Sequence, residues 1–177
     1  MGHMYRPAHL FRALLLQPEA YRRVAARRHG SDVSSVLFVL IVYGLLAGWA
    51  MWLDRASGAG FETAAAFAIW GLLRWVLVAL LLWFVGIHGF EGEGNLGEMF
   101  RATALAHVPL LLQIMPLEVR FANVVAATWF ILALVVAAQA VLGLSIRRAA
   151  GTGVMAAAGL LIVSNVFLIP VAIFGVV

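Results

Sequence analysis

Cysteine and lysine are both missing from this 177-residue chain, and charged residues make up only 11% of it. Without cysteine the chain cannot form a disulfide or a thiolate metal site. A soluble domain carries about 25% charged residues, so the low charge excludes an ordinary water-soluble domain. The chain is instead 64% apolar. Since a helix needs roughly 20 mostly apolar residues to cross a bilayer, there is room for about five crossings within one membrane domain.

Five apolar segments predict an all-α integral membrane protein with five transmembrane helices. They lie at about 33–53, 63–87, 102–117, 121–144 and 154–177. The third is short and broken by Pro109 and Pro116, because proline lacks the amide hydrogen of a helix interior. The fifth is expected to kink at Pro170. The membrane domain is therefore predicted at 31–177.

Arginine is unevenly distributed between the two sides that this topology creates. The side of the N-terminus would hold Arg6, Arg12, Arg22, Arg23, Arg27, Arg28, Arg101, Arg147 and Arg148. The other side would hold only Arg55 and Arg120. Positive charge favours the cytoplasmic side, so we expect a multi-pass protein of the cytoplasmic (inner) membrane with its N-terminus cytoplasmic and its C-terminus opposite.

Residues 1–30 form a separate region before the first predicted span. Met1-Gly2-His3 is read as a remnant of an expression vector, with Met4 as the native start. Two short helices are expected within 8–29, separated at Gln17-Pro18, since proline is well tolerated at the first position of a helix.

The second of these helices is amphipathic. One side carries Ala20, Tyr21, Val24 and Ala25, and much of the rest carries Arg22, Arg23, Arg27 and Arg28. This pattern predicts an interfacial helix whose arginines contact anionic lipid headgroups. The alternative is a basic flank that only orients the first span.

Glycines interrupt the apolar sequence after the second span. Gly86, Gly89, Gly92, Gly94 and Gly97 are expected to prevent a continuous helix from Trp83 onward, because glycine has poor helix propensity. Asn95 is then predicted to cap a new helix, with Glu98 in its first turn as in a capping box.

Two stretches resemble a known family. GEGNLGEMFRATALAHVPLLL, at 92–112, is similar to the signature region of the Yip family (Ypt-interacting proteins), small five-span membrane proteins. LLLQPEAYRRV, at 14–24, resembles the proline-containing lead-in of its bacterial members. The resemblance implies the five-span fold and covers about 11–177 in layout. Eukaryotic relatives contact small GTPases of the Rab class, but their Asp-Leu-Tyr-Gly-Pro motif is absent here, so small-GTPase binding is not carried over.

Arg74 lies near the middle of the second span, where a charge costs roughly 2.5–3.5 kcal/mol on insertion scales. The intramembrane polar candidates to accompany it are His107, Gln113, Gln139, Ser164 and Asn165. Two interpretations stay open: a structural arginine that bonds carbonyls at the breaks of spans three or five, or a group that holds a substrate or an anion. His107 is expected to be buried and hydrogen-bonded rather than a proton relay.

The inner loop between spans two and three supplies a second group of candidates. They are His88, Glu91, Glu93, Glu98 and Arg101. His88, Glu91 and Glu93 suggest a divalent metal only weakly, since no spacing places them on one helical face. We therefore expect no metal and no cofactor. Glu98 and Arg101, three residues apart, are expected to form a surface ion pair.

No arrangement of serine, histidine and carboxylate indicates nucleophilic catalysis, so an enzyme is not favoured, and nothing favours nucleic acid. The leading hypothesis is a membrane scaffold or trafficking-like, membrane-organising factor. Its partners would be anionic headgroups, other membrane proteins or itself. Gly44 and Gly48 could mediate self-association, although we expect them to serve packing within the chain. The alternative is a small transporter or channel component with a polar site around Arg74.

Overall fold

A computed structural model describes residues 7–26, 31–53, 61–115 and 118–174. These ranges are helical and contain no strand. The helices are α1 (Pro7–Leu14), α2 (Pro18–Ala25), α3 (Ser31–Leu53), α4 (Phe61–Phe90), α5 (Leu96–Leu105), a 3₁₀ helix (Val108–Ile114), α6 (Val119–Leu142) and α7 (Ile146–Phe174).

Three helices are long and apolar enough to cross a membrane within the described part of the chain. The qualifying stretches are Val33–Ala50 in α3, Ala65–Phe90 in α4 and Val119–Leu142 in α6. Helix α7 has 29 residues, but most of its side chains beyond Leu160 lie outside the description. The all-helical membrane character of the chain is therefore shown. The third predicted segment is split into α5 and the 3₁₀ helix, with Pro109 in the first turn of the latter, whereas Pro116 is not described.

The glycines after Trp83 do not stop helix α4 where the sequence predicts. The helix runs through Gly86 and Gly89 and ends at Phe90. A Cβ at Gly86 would collide with the Leu142 side chain, so glycine is present because α6 packs closely there. The gain in packing outweighs a propensity penalty of about 1 kcal/mol.

The glycine loop 91–95 is attached to the end of α6. The amide of Glu93 donates to the Leu142 carbonyl at 3.0 Å, and Trp83 Nε1 donates to the Gly94 carbonyl at 3.0 Å. A Cβ at Gly94 would lie 2.8 Å from the Val141 carbonyl oxygen. The loop glycines thus allow backbone to approach backbone and satisfy a carbonyl at a helix C-terminus.

Helix α7 begins at Ile146, eight residues before the predicted start of the fifth span at 154. Arg147 and Arg148 therefore lie in the first turn of α7. A Cβ at Gly151 would lie 2.7 Å from Phe90, and one at Gly153 would lie 2.9 Å from Val135. They are contact glycines inside a helix, like Gly86.

The centre of the bundle is the third segment rather than one of the long helices. Every residue from 101 to 110 is buried. Helix α5 contacts α2, α3, α4 and α6, and the 3₁₀ helix contacts α1, α3 and α6. The irregular backbone at 106–108 is therefore surrounded by protein.

The apolar face of α2 packs against protein. Its buried residues are Ala20, Tyr21, Val24 and Ala25, and they contact the core beside α5 and α6. Arg22 and Arg23 are exposed, whereas Arg27 and Arg28 lie outside the described residues. Any contact with lipid is thus left to the arginine side of the helix, because the apolar side is occupied.

Among the described residues, Gly44 and Gly48 have no packing partner within the chain, contrary to prediction. Both are exposed, and a Cβ at either position would have no described neighbour within 4 Å. Helix α3 instead buries its other face, including Tyr43. The Tyr43 ring lies on Gly71 of α4, where a Cβ would collide with the ring.

Candidate polar site inside the helix bundle

Arg74 lies midway along α4 with its guanidinium against an aromatic ring. Its Cζ is 5.9 Å from the centroid of the Phe130 ring, within the range of a cation–π contact. The side chain is half-buried, and its Nε is buried without a hydrogen-bond partner among the described residues. The contact with Phe130 offsets only part of the cost of placing a charge in a membrane helix.

A cavity of about 420 Å³ adjoins Arg74 between α4, the 3₁₀ helix, α6 and α7. Its polar lining is Arg74, Gln113 and Asn123. The apolar lining is Val78, Leu110, Ala127, Phe130, Ile131, Leu134, Gly153, Ala156, Ala157 and Leu160. No acidic side chain is among these described lining residues. The cavity is within the usual size of small-molecule sites, about 300–1,000 Å³, and combines apolar walls with a few polar groups.

His107 lies beside this cavity, against the ring of Phe130, which lines it. Its ring is 4.9 Å from Phe130 and 5.7 Å from Tyr43, both edge to face. Its Nδ1 is 2.7 Å from the Thr103 carbonyl oxygen and must donate, because a carbonyl only accepts. In the neutral ring Nε2 is then an acceptor, and it is buried without a partner in the described chain, as is the Tyr43 hydroxyl. Phe130 therefore contacts both Arg74 and His107, and Tyr43 packs on the other edge of the His107 environment as a second buried polar group.

A hydrogen-bond network fixes the helix that carries His107. Trp75 Nε1 donates to Thr103 Oγ1 at 3.1 Å and approaches the Phe100 carbonyl oxygen at 3.3 Å. The Thr103 hydroxyl in turn donates to the Met99 carbonyl at 2.8 Å. Trp75 follows Arg74 in sequence. Helix α4 therefore bonds α5 through Trp75 and lines the cavity with Arg74.

The structure brings together some of the predicted intramembrane candidates. Gln113 shares the cavity with Arg74, and His107 lies next to it. Gln139 is half-buried in α6 and is not among the lining residues. The side chains of Ser164 and Asn165 lie outside the described part of the chain.

Sequence reasoning missed two polar members of the site. Asn123 lines the cavity, and the signal was a lone amide near the start of the otherwise apolar helix α6. Tyr43, which packs against His107, was not among the predicted candidates, and its hydroxyl within a long apolar run was the available signal.

Comparison with known families identifies the chain. The model of the Yip1 domain matches residues 12–174, nearly its full length. The chain belongs to the Yip family. No curated protein and no solved structure matches it. The resemblance to the Yip family is thus confirmed, and the protein is a membrane protein of that family.

The inner-loop residues of this Yip domain do not form one site. His88, Glu91 and Glu93 are exposed, and the Glu91 carboxylate lies 3.7 Å from Arg148 in a surface ion pair. Within the described residues no group of three His, Asp or Glu side chains could hold a metal. The backbone amide of Glu98 donates to Asn95 Oδ1 at 2.9 Å, which confirms the predicted cap of α5.

Arg101 is not a surface residue, so the expected surface ion pair with Glu98 is wrong in its placement. The side chain is 5% exposed, and its Nε donates to the Ala25 carbonyl at 2.9 Å. Arg101, within the stretch 92–112 that resembles the Yip signature, is therefore a buried basic residue that bonds the end of α2 to the membrane domain.

Proposed function

We propose that this Yip-family protein is a non-enzymatic membrane-organising factor, a scaffold or trafficking-like protein acting through lipid and protein contacts. One observation carries the proposal: α2 is fixed to the bundle by its apolar face and leaves Arg22 and Arg23 exposed. A fixed pair of cations at the edge of a membrane domain attracts anionic headgroups, at about 1 kcal/mol per residue.

The proposed topology has five membrane crossings, and α5 together with the 3₁₀ helix forms the third crossing. These two elements are about 15 Å and 14 Å long, which together approach the roughly 30 Å hydrocarbon core. The arginine bias supports a cytoplasmic N-terminus in the inner membrane and a C-terminus on the opposite side. Because the chain lacks cysteine, single cysteines at residues 10 and 118 can be tested directly for labelling from each side of the membrane. Labelling of both from the same side would refute the third crossing.

The lipid contact is tested by the double substitution Arg22→Gln with Arg23→Gln. In nanodiscs, phosphatidylglycerol is expected to raise the apparent melting temperature of the wild type over that in phosphatidylcholine, and the double variant should show a smaller increase. The control Arg22→Lys with Arg23→Lys retains the charge and should retain the increase. An equal increase in wild type and Gln variant would contradict the proposed headgroup contact.

A second candidate is a small transporter or channel component, favoured by the cavity beside Arg74. Transport requires that a site in the bundle be reachable from both sides of the membrane. Single cysteines at Leu110 and Ala156, buried residues that line the cavity, measure this access with a water-soluble thiol reagent. Labelling from both aqueous sides would favour transport over the scaffold, and labelling from neither side would remove the transporter hypothesis.

A further inference from the structure

We propose that the cavity beside Arg74 binds an anionic amphiphile, with the oxyanion of its headgroup on the guanidinium and its hydrocarbon along the apolar wall. This binding site is independent of the headgroup contact proposed for α2, since it uses other residues on other helices. It needs no transport step.

The charge of Arg74 is the first argument. The guanidinium faces a cavity whose described lining contains no acid, and its Nε is buried without a partner in the described chain. Arginine presents several donors in a planar fork that matches a carboxylate or a phosphate. An oxyanion in the cavity would neutralise the charge, and the lining amides of Gln113 and Asn123 provide further donors.

The apolar wall is the second argument. Ten of the thirteen lining residues are apolar, including Val78, Leu134 and Leu160. A small free anion would leave this surface uncovered, whereas a hydrocarbon chain would cover it. At about 25 cal/mol per Å² of apolar surface, the chain adds affinity that the headgroup alone lacks.

The opening of the cavity is the third argument. Four lining residues are exposed at the outside of the bundle: Asn123, Ala127 and Ile131 on α6 and Ala157 on α7. Helix α6 is a candidate membrane span, so an opening along it faces lipid. A ligand that enters from the bilayer is an amphiphile rather than a water-soluble metabolite.

The test uses the purified full-length protein in a non-ionic detergent and three probes: oleate, phosphatidylglycerol and inorganic phosphate. Methyl oleate, which has the same chain without the charge, is the control ligand. Binding is measured by the shift in apparent melting temperature and by the number of retained ligands in native mass spectrometry. The variants are Arg74→Gln, Arg74→Lys and Ala127→Trp, the last of which fills the cavity and keeps the charge. The double variant Arg22→Gln with Arg23→Gln separates this site from α2.

Oleate or phosphatidylglycerol should stabilise the wild type and methyl oleate should not. Loss of the bonds to a charged group should weaken binding roughly tenfold or more in Arg74→Gln, and Ala127→Trp should also bind weakly. Arg74→Lys and the α2 variant should still bind.

Two results would overturn the proposal: no probe stabilises the wild type, or a probe binds Arg74→Gln and Ala127→Trp as well as the wild type. A shift with phosphate that equals the shift with oleate would refute the amphiphile. If Arg74→Gln does not fold, Ala127→Trp and Asn123→Leu provide the same comparison.

Discussion

Arg101 Nε donates to the carbonyl of Ala25, the last residue of α2, at 2.9 Å and across 76 positions of sequence. The C-terminus of a helix carries unpaired carbonyls and a partial negative charge. A buried guanidinium from α5 satisfies one of these carbonyls. Helix α2 is therefore held by a polar contact at its end as well as by its apolar face.

Substitution of Arg101 by Met should release the end of α2. The variant keeps much of the side-chain volume but leaves the Ala25 carbonyl without this donor, at a cost of about 1–3 kcal/mol. Hydrogen exchange of the α2 amides should accelerate more than that of the α6 amides. The exposed substitution Arg22→Gln is the control and should change stability by less than about 0.5 kcal/mol. Unchanged exchange in α2 would show that its apolar face alone holds it.

Gly94→Ala and Gly44→Ala should have opposite effects. A Cβ at Gly94 would lie 2.8 Å from the Val141 carbonyl oxygen, a backbone atom that cannot rotate away. We expect a loss of about 1–3 kcal/mol, as for other overpacked sites. A Cβ at Gly44 meets no atom of the described residues within 4 Å, and alanine there raises helix propensity. Thermal unfolding in one detergent compares the two, and equal losses would contradict the role assigned to the loop glycine.

Local features of the sequence were predictable. The ends of α3 and α6 lie within two residues of the predicted spans, because polar or charged residues bound these apolar runs. The cap at Asn95 was predictable because its side chain accepts from the backbone amide of Glu98, only three residues later. Each of these features depends only on residues that are close in sequence, so a hydropathy or capping pattern is sufficient to predict it.

Long-range contacts were not predictable. Gly86 and Gly151 look like helix breakers until the opposing side chains, Leu142 and Phe90, are known. Arg101 looks like a surface residue until α2 packs over it. The cavity forms only where four separate elements meet. The sequence indicated Arg74, because a charge in a membrane helix is costly, but it could not show that Asn123 lines the same cavity.

Glu91→Gly should stabilise the protein. Glu91 has a backbone φ of 58°, in the left-handed region, and directly follows the last residue of α4. A non-glycine residue there costs on the order of 1 kcal/mol, which glycine avoids. The ion pair with Arg148, 3.7 Å long and exposed, is worth less than that. The apparent melting temperature should therefore rise, whereas the control Glu93→Gly, where φ is not positive, should not raise it.

Alkaline pH should weaken the attachment of α2 through Tyr21. The ring is fully buried, and its hydroxyl donates to the Ala13 carbonyl at 3.2 Å. Burial raises the pKa of the Tyr21 hydroxyl above its ordinary value of about 10. The folded protein therefore favours the neutral phenol, so this contribution is fully present below pH ~10 and declines as pH rises above it. Tyr21→Phe cannot ionise at this position and loses only the hydrogen bond. The melting temperature of the wild type should fall more steeply above pH ~10 than that of Tyr21→Phe, and parallel profiles would show that Tyr21 does not set the alkaline limit.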